Sequence, residues 1–420
     1  MALSGVRLGR RFDHDLIPDP RSRLQPIILC LASYEKGAEF LRECRNLGAR
    51  VHLATLERLK DADWPREAID GFWRMPDEHS RADILNAVSW LARTERFDRI
   101  IALDEFDLET AAALREHLRI PGMGESETRF YRDKLAMRER ARDGGVLVPP
   151  FTGIFHHDDL RTFVDTTPAP WMIKPRTEAS AVGIRKISVA EEVLTVLDEL
   201  GDRQSFHLLE RFIAGDVYHV DSIVNDGSVV FAEAHRYASP PFHVMHRGGL
   251  FCTRTLPRGS EEDIAIRRAN EALVGAMGFR RGVLHTEFIR DEEGRFWFVE
   301  TAARAGGAHI VETIEAATGV NLWREWARLE VATIRGQPYT VPPSRHDYGG
   351  VLISLARQEW PDTSAYDAPE VTWRMRKRHH AGLILASHSS DRLDALLTQY
   401  MVRYQEDFYA SMPAPDKPTA

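Results

Sequence analysis

The pattern of apolar runs changes character near residue 150, and that change restricts what the chain can fold into. Before it, strand-like runs at residues 26–32, 51–56 and 99–103 alternate with helical spacing at 35–47, 81–93 and 109–118. Such alternation predicts a parallel, doubly wound sheet, because parallel strands need long crossovers and helices supply them. A helix over 134–141 then ends at Gly144-Gly145, and Val146-Leu-Val-Pro-Pro150 breaks the pattern. Beyond it, strands are expected at 171–175, 183–189, 207–212, 218–224 and 229–233, with helices at 190–200 and 262–277. This is α+β texture and requires a second kind of sheet. The expected organisation is an arm over 1–23, an α/β domain over 24–125 and a second domain over 126–335 with a lobe at about 150–210. An α+β segment over 336–410 and a Pro-rich tail over 411–420 complete it.

Composition excludes several classes of function. A chain of 420 residues, 43% hydrophobic and 28% charged, is globular and long enough for two or three domains. Its net charge of -8 argues against a general grip on nucleic acid. The basic run Arg374-Met-Arg-Lys-Arg378 has no aromatic residue interleaved and reads as a solvated strand or loop. Nowhere do eighteen apolar residues run together, and Arg10-Arg11 is not followed by an apolar stretch. Cys30, Cys44 and Cys252 are scattered, with Cys30 and Cys44 at core-type positions. The expectation is a cytoplasmic protein with no membrane or nucleic-acid partner. Ser33-Tyr-Glu-Lys-Gly37, after the first strand, lacks the glycine pattern of a dinucleotide turn, and no P-loop occurs.

The chemistry concentrates in residues 282–307, where two strands flank a turn rich in Asp, Glu and Gly. His285, Glu287 and Ile289 share a face of the first strand, and Phe296, Phe298 and Glu300 share a face of the second. An even-numbered loop centred between Glu293 and Gly294 sets Glu287 opposite Glu300, with Cβ atoms about 4.5–5.5 Å apart. A one-residue bulge at Gly294 would set Val299 there instead. Facing carboxylates near Phe288, Phe296 and Phe298 repel unless a cation lies between them, and an all-oxygen pair suits Mg²⁺. A surface hairpin with both acids in water is the alternative. Arg304, Ala305-Gly306-Gly307 and a helix expected over 308–317 follow, offering a guanidinium and backbone N–H groups to an anion. Lys174 ends a strand ahead of the small-residue loop Arg176-Thr-Glu-Ala-Ser-Ala-Val-Gly183, which could fold over phosphates.

In this order and spacing, the motifs resemble the ATP-grasp superfamily from about residue 26 to 408. The resemblance implies an ATP-grasp fold with a Rossmann-like domain before it, and Mg²⁺ and ATP as cofactors. Arg132-Asp-Lys-Leu-Ala-Met137 is similar to the first nucleotide-binding lysine segment, with Lys134 as the lysine; Lys174 matches the second. Glu178, Ser180 and Gly183 would lie on the loop that closes over phosphate, and Glu210-Arg211-Phe212-Ile213 on the adenine segment. Glu287 and Glu300 match the two magnesium glutamates, and Arg304 the arginine that follows, with Gly306 and Gly307 beside it as further catalytic candidates. Two departures stand out. Ala302 occupies a position where the superfamily often has Asn, and Val217 one where it often has an acid for the ribose, leaving Asp216 or His219 for that contact.

The likeness is greatest to the biotin carboxylase-like branch that includes carboxylate–amine ligases. It implies an acyl phosphate captured by an amine, with small-molecule acid and amine partners. Separately, a homodimer through the first domain is compatible with the sequence. A biotin carboxylase-like carboxylase, an acid–thiol ligase and a non-catalytic ATP-binding regulator are the alternatives. Substrate groups are expected from residues 236–254, with His246 and Arg254 foremost beside His235 and Arg247, and from His309 early in the helix after Gly307. His156-His157 and His379-His380 read as surface pairs.

Overall fold

The structure is a computed structural model that describes residues 25–179, 182–247 and 249–410, without the side chains of 245–247. The arm over 1–23, the tail over 411–420, Ser180 and the side chains of His246 and Arg247 lie outside the described residues.

Strands β1 (Ile27–Ala32), β2 (Arg50–Leu56), β3 (Gly71–Met75) and β4 (Arg99–Ala102) form a parallel sheet in the order β3-β2-β1-β4. Helix α1 (Ala38–Asn46) connects β1 to β2 and α2 (Arg81–Leu91) connects β3 to β4, as the alternation predicts, while α3 (Leu108–Leu118) follows β4. The edge strand β3 is absent from the sequence reading. It is short and only half-buried, so it lacks the continuous apolar run of β1 and β2.

After α4 (Glu125–Thr128), helix α5 (Lys134–Asp143) begins at Asp133, whose carboxylate accepts from the Leu135 and Ala136 N–H groups. A four-stranded antiparallel lobe follows: β5 (Phe151–Gly153), α6 (His157–Thr166), β6 (Trp171–Pro175), β7 (Arg185–Ile187), α7 (Ala190–Leu200) and β8 (His207–Arg211), with strand order β5-β8-β6-β7. Its own small core holds Leu160, Trp171, Ile173, Val193 and Leu209.

The remaining strands make one eight-stranded antiparallel sheet in the order β13-β12-β9-β10-β11-β14-β16-β15. They are β9 (Asp216–Asn225), β10 (Ser228–Tyr237), β11 (Phe251–Thr255), β12 (Arg281–Arg290), β13 (Phe296–Ala302), β14 (Tyr348–Leu355), β15 (Val371–Arg374) and β16 (His380–Ser387). Helices α8 (Pro241–Arg247), α9 (Glu261–Met277), α10 (Ile310–Thr318), α11 (Leu322–Ile334) and α12 (Ser390–Asp407) complete the chain. The C-terminal strands thus extend this same sheet.

Alternation along these strands sends side chains to two different cores. Val220, Val224, Ala234 and Leu284 pack beneath α9 with Ile266 and Leu273. Ile223 and Val283 face the other way, towards Ile310, Ile314 and Trp326, and join the core containing Phe40 and Leu41 of α1. Helix α11 therefore couples the first domain to the large sheet, and the pairs Arg324–Glu39 and Arg328–Glu43 cross that junction. All three cysteines are buried and unpaired, Cys30 and Cys44 as their core-type positions suggested and Cys252 on β11 besides. In the basic run, Arg374 donates to the carbonyl of Tyr366 at 2.7 Å, and exposed Arg378 pairs with Glu359. Among the described residues no helix is long and apolar enough to cross a membrane.

Gly215 sits where the lobe passes into β9, with φ +154° and an ideal Cβ only 2.1 Å from the Arg290 carbonyl oxygen. Backbone cannot step aside as a flexible side chain can. Gly215→Ala is expected to cost about 2–3 kcal/mol in denaturant unfolding. Gly227→Ala, at φ +81° with nothing near its Cβ, should cost about 1 kcal/mol.

Candidate active site

The hairpin β12–β13 pairs Glu287 with Glu300, but not through the expected loop. Arg290 pairs with Phe296, which leaves a five-residue turn, Asp291 to Arg295, containing Gly294 at φ +82°. Asp291 caps the turn by accepting from the Arg295 backbone and the Trp297 indole. This odd-numbered turn alone would set Val299 against Glu287. A bulge then absorbs Val299, since Phe288 pairs with Phe298 while Glu287 pairs with Glu300. The expectation that Phe296 and Phe298 share a face with Glu300 is therefore corrected. Both phenylalanines turn to the opposite core with Phe288, and only Glu300 turns towards Glu287.

Cations and hydroxyls surround the two acids. The Lys134 ammonium lies 3.1 Å from Glu300 and also donates to the Glu178 carbonyl of the lobe's loop at 2.5 Å. Tyr237 donates to Glu287 at 3.0 Å, and His285 Nε2 is 3.7 Å from the same oxygen. Burial would raise the Glu287 carboxyl, but His285 and Tyr237 beside it bring it below its ordinary value. Behind them Asp221, fully buried, meets His285 Nδ1 at 2.9 Å and His219 Nδ1 at 2.7 Å. Burial opposes charge on His285, yet Asp221 and Glu287 push it up to about 10. His219 meets Thr253 through its other nitrogen at 2.8 Å, so both ring nitrogens are engaged inside the protein. The expected ribose contact therefore does not fall to His219. Asp216 keeps its exposure and pairs with Arg236.

Arg304 donates to Glu105 at 2.6 and 3.1 Å. Glu105 follows β4 of the first sheet, at the carboxyl end of the strands where open α/β sheets bind ligands. One cleft is lined by Glu105, Lys134, His285, Glu300, Ala302 and Arg304. The sequence reading missed Glu105, because no local spacing links it to a residue 199 positions away. Gly306 is required sterically: its ideal Cβ would lie 2.6 Å from Asp221 Oδ1, whereas that of Gly307 meets open space. The expected helix over 308–317 starts later, at Ile310. Ala308 and His309 are both left-handed, with φ of 50° and 60°, so His309 precedes the helix; its ring lies 4.5 Å from that of Trp373.

In the lobe, buried Lys174 pairs with Glu210, which also binds Arg138 of α5 at 3.0 Å. Arg176 grips Asp133, tying the loop to the start of α5. Gly183, at φ +71°, lies against Pro175, and Lys186 stands 3.8 Å over the Phe212 ring. Arg211 is exposed and Ile213 buried. Arg254 is not on the glutamate side of the large sheet. It projects to the opposite face and pairs with Asp394 of α12, because Thr253 and Thr255 take the inward positions. His235 is fully buried, stacked on His219.

Glu287 and Glu300 fit a hard divalent cation, since both offer oxygen from one face of adjacent strands. His219, Asp221 and His285 also lie close together, within 4.8 Å. Their nitrogen–oxygen separations of 2.7 and 2.9 Å are those of hydrogen bonds, so the three form a polar network.

No family model matches the chain. An L-arginine-specific L-amino acid ligase of Bacillus subtilis is 25% identical over 255 residues, covering 59% of this chain and 60% of that protein. The chain spans less than two thirds of the length of the first curated relatives it matches. The crystal structure of an L-amino acid ligase from Bacillus licheniformis superposes with a TM-score of 0.70 at 18% identity, covering 91% of this chain and 99% of that one. A carboxyaminoimidazole ribonucleotide synthase from Aspergillus clavatus, complexed with ATP, gives 0.69 at 14% identity, covering 91% and 99%.

The Glu105–Arg304 pair makes stability depend on acid. Burial would raise the Glu105 carboxyl, but Arg304 and Arg132 outweigh burial and hold it at about 2. A carboxyl depressed on folding stabilises above its unfolded value of about 4.3 and loses that contribution as pH falls towards 2. The stability advantage of wild type over Glu105→Gln should therefore shrink by about 2 kcal/mol between pH 6 and pH 3 in denaturant melts. An advantage unchanged across that window would contradict the pairing.

Proposed function

We propose that this chain, which has the ATP-grasp fold, is a Mg-ATP-dependent ligase that joins a carboxylate to an amine. The observation that carries the reading is Lys134, whose ammonium touches Glu300 of the large sheet and the loop of the lobe together. A nucleotide between lobe and sheet would meet Lys134 and Lys174 with its phosphates and the Glu210–Ile213 segment with its base. Those lysines are held by Glu300 and Glu210 and would exchange these partners for phosphate oxygens. The relative named for L-amino acid ligation supports amino acids as the acid and amine. The ATP complex of a structural neighbour supports the nucleotide.

In this reading the substrate carboxylate attacks the γ-phosphate, ADP leaves, and the amine displaces phosphate from the acyl phosphate to form an amide. Glu287 and Glu300 would hold magnesium, which when bound offsets charge on the phosphates. Arg304 lines the same cleft and would balance charge growing on the transferred phosphoryl group. Gly306 and Gly307 would present backbone N–H groups beside it to the acyl oxygen or an anionic substrate group. Closure of the lobe would keep water from the acyl phosphate.

Purified protein given Mg-ATP and pooled amino acids should release phosphate only when both an acid and an amine are present, with a new condensation mass. Nucleotide binding without turnover across the pool would point to a regulator instead. Glu300→Gln should lower turnover at least 100-fold, the loss typical of a removed transition-state contact. Its melting temperature should remain near that of wild type. Near-normal turnover in that variant would sink the metal assignment.

A further inference from the structure

Position 302, two residues beyond Glu300, carries no donor atom. Directly across from Ala302 in the hairpin stands His285, two residues before Glu287 and on the same face. Its Nδ1 is committed to Asp221 at 2.9 Å. Asp221 is itself fixed, because its second oxygen meets His219 Nδ1 at 2.7 Å and His219 Nε2 meets Thr253 at 2.8 Å. Gly306 closes over this pair, its ideal Cβ lying 2.6 Å from Asp221 Oδ1 and 3.2 Å from His285 Nδ1. The ring is therefore locked, with Nε2 turned towards Glu287.

The separation of Nε2 from the Glu287 oxygen, 3.7 Å, is too long for a good hydrogen bond. It is close to the roughly 3–3.5 Å between two donors that share one cation, given bonds of about 2.0–2.2 Å. A carboxylate behind one imidazole nitrogen, with the other nitrogen presented to a cation, is the usual outer support of a histidine ligand. Glu300 and His285 also line one cleft.

We propose that His285 Nε2 is a third donor to the cation held by Glu287 and Glu300. The site is then two carboxylates and one imidazole: Mg²⁺ is held through the carboxylates, and an ion of the Mn²⁺ class gains the imidazole as well and binds more tightly. Two carboxylates alone suit Mg²⁺, whereas an imidazole raises affinity for first-row transition ions. The cation takes the place of a proton on Nε2, as ligation of histidine requires. This rests on the reading of Glu287 and Glu300 as metal ligands.

The test uses the full chain with ADP and Mn²⁺, once unlabelled and once with ¹⁵N-histidine. Pulsed EPR should show directly coupled nitrogen that changes from ¹⁴N to ¹⁵N with the label. His285→Gln should abolish that coupling and weaken Mn²⁺ binding about tenfold or more, while changing Mg²⁺ binding under about threefold. Wild type alone decides the ligand question, so a poorly folding variant does not remove the test. Mn²⁺ that binds, requires Glu287 and Glu300, but shows no histidine coupling would overturn the proposal and leave the glutamate reading intact. Mn²⁺ binding unaffected by Glu287→Gln and Glu300→Gln would overturn both.

Discussion

Two carboxylates facing each other on adjacent strands repel, and much of the surrounding structure serves to keep Glu287 and Glu300 together. The charge is balanced piecemeal. Lys134 comes from the start of α5, His285 from the same strand, and the Tyr237 hydroxyl from β10. Asp221 keeps His285 in place, and the close approach of Gly306 keeps Asp221 in place. Each support arrives from a different stretch of chain. The acid pair is thus a point where the hairpin, α5 and the central strands must agree.

The three sheets divide the work around that point. The large sheet supplies the acids and their rigid backing. The lobe supplies Lys174 and Glu210, fastened to α5 through Arg138 and to Asp133 through Arg176. The first domain supplies Glu105, which reaches Arg304 from the end of β4. Buried ion pairs of this kind add little stability overall once desolvation is counted, but removing one partner is costly. Their service here is placement: each pair fixes its side chains in a defined position and ties two of the three sheets or their helices together.

Much of this was legible in the sequence because it is periodic or local. Alternating strands and helices marked the parallel sheet, and core-type spacing marked Cys30 and Cys44. Lys134, Lys174, Glu210, Glu287, Glu300 and Arg304 were legible as an ordered set, and the structure brings Lys134, Glu300 and Arg304 to one cleft. What escaped depends on contacts between distant segments or on departures from regular geometry. Glu105 is one such case. Arg254 and His219 were proposed for ligands, yet strand parity turns Arg254 to the far face and a hydrogen-bond network encloses His219. The left-handed pair Ala308-His309 delays the helix, a backbone choice that histidine makes more readily than most residues but that alanine does not advertise.

The hairpin reached the expected pairing by an unexpected route, and that route bears on how such a sequence can drift. An odd-numbered turn throws the second strand out of phase by one residue, and the bulge at Val299 throws it back. Strand phase behaves here like a reading frame: either shift alone inverts the faces of everything beyond it, and the two together restore them. A single insertion or deletion in this hairpin would consequently invert the faces beyond it, and a second, compensating change would restore them. Among divergent chains, the spacing between the two glutamates is then a poorer guide to a preserved pair than the parity of turn and bulge taken together.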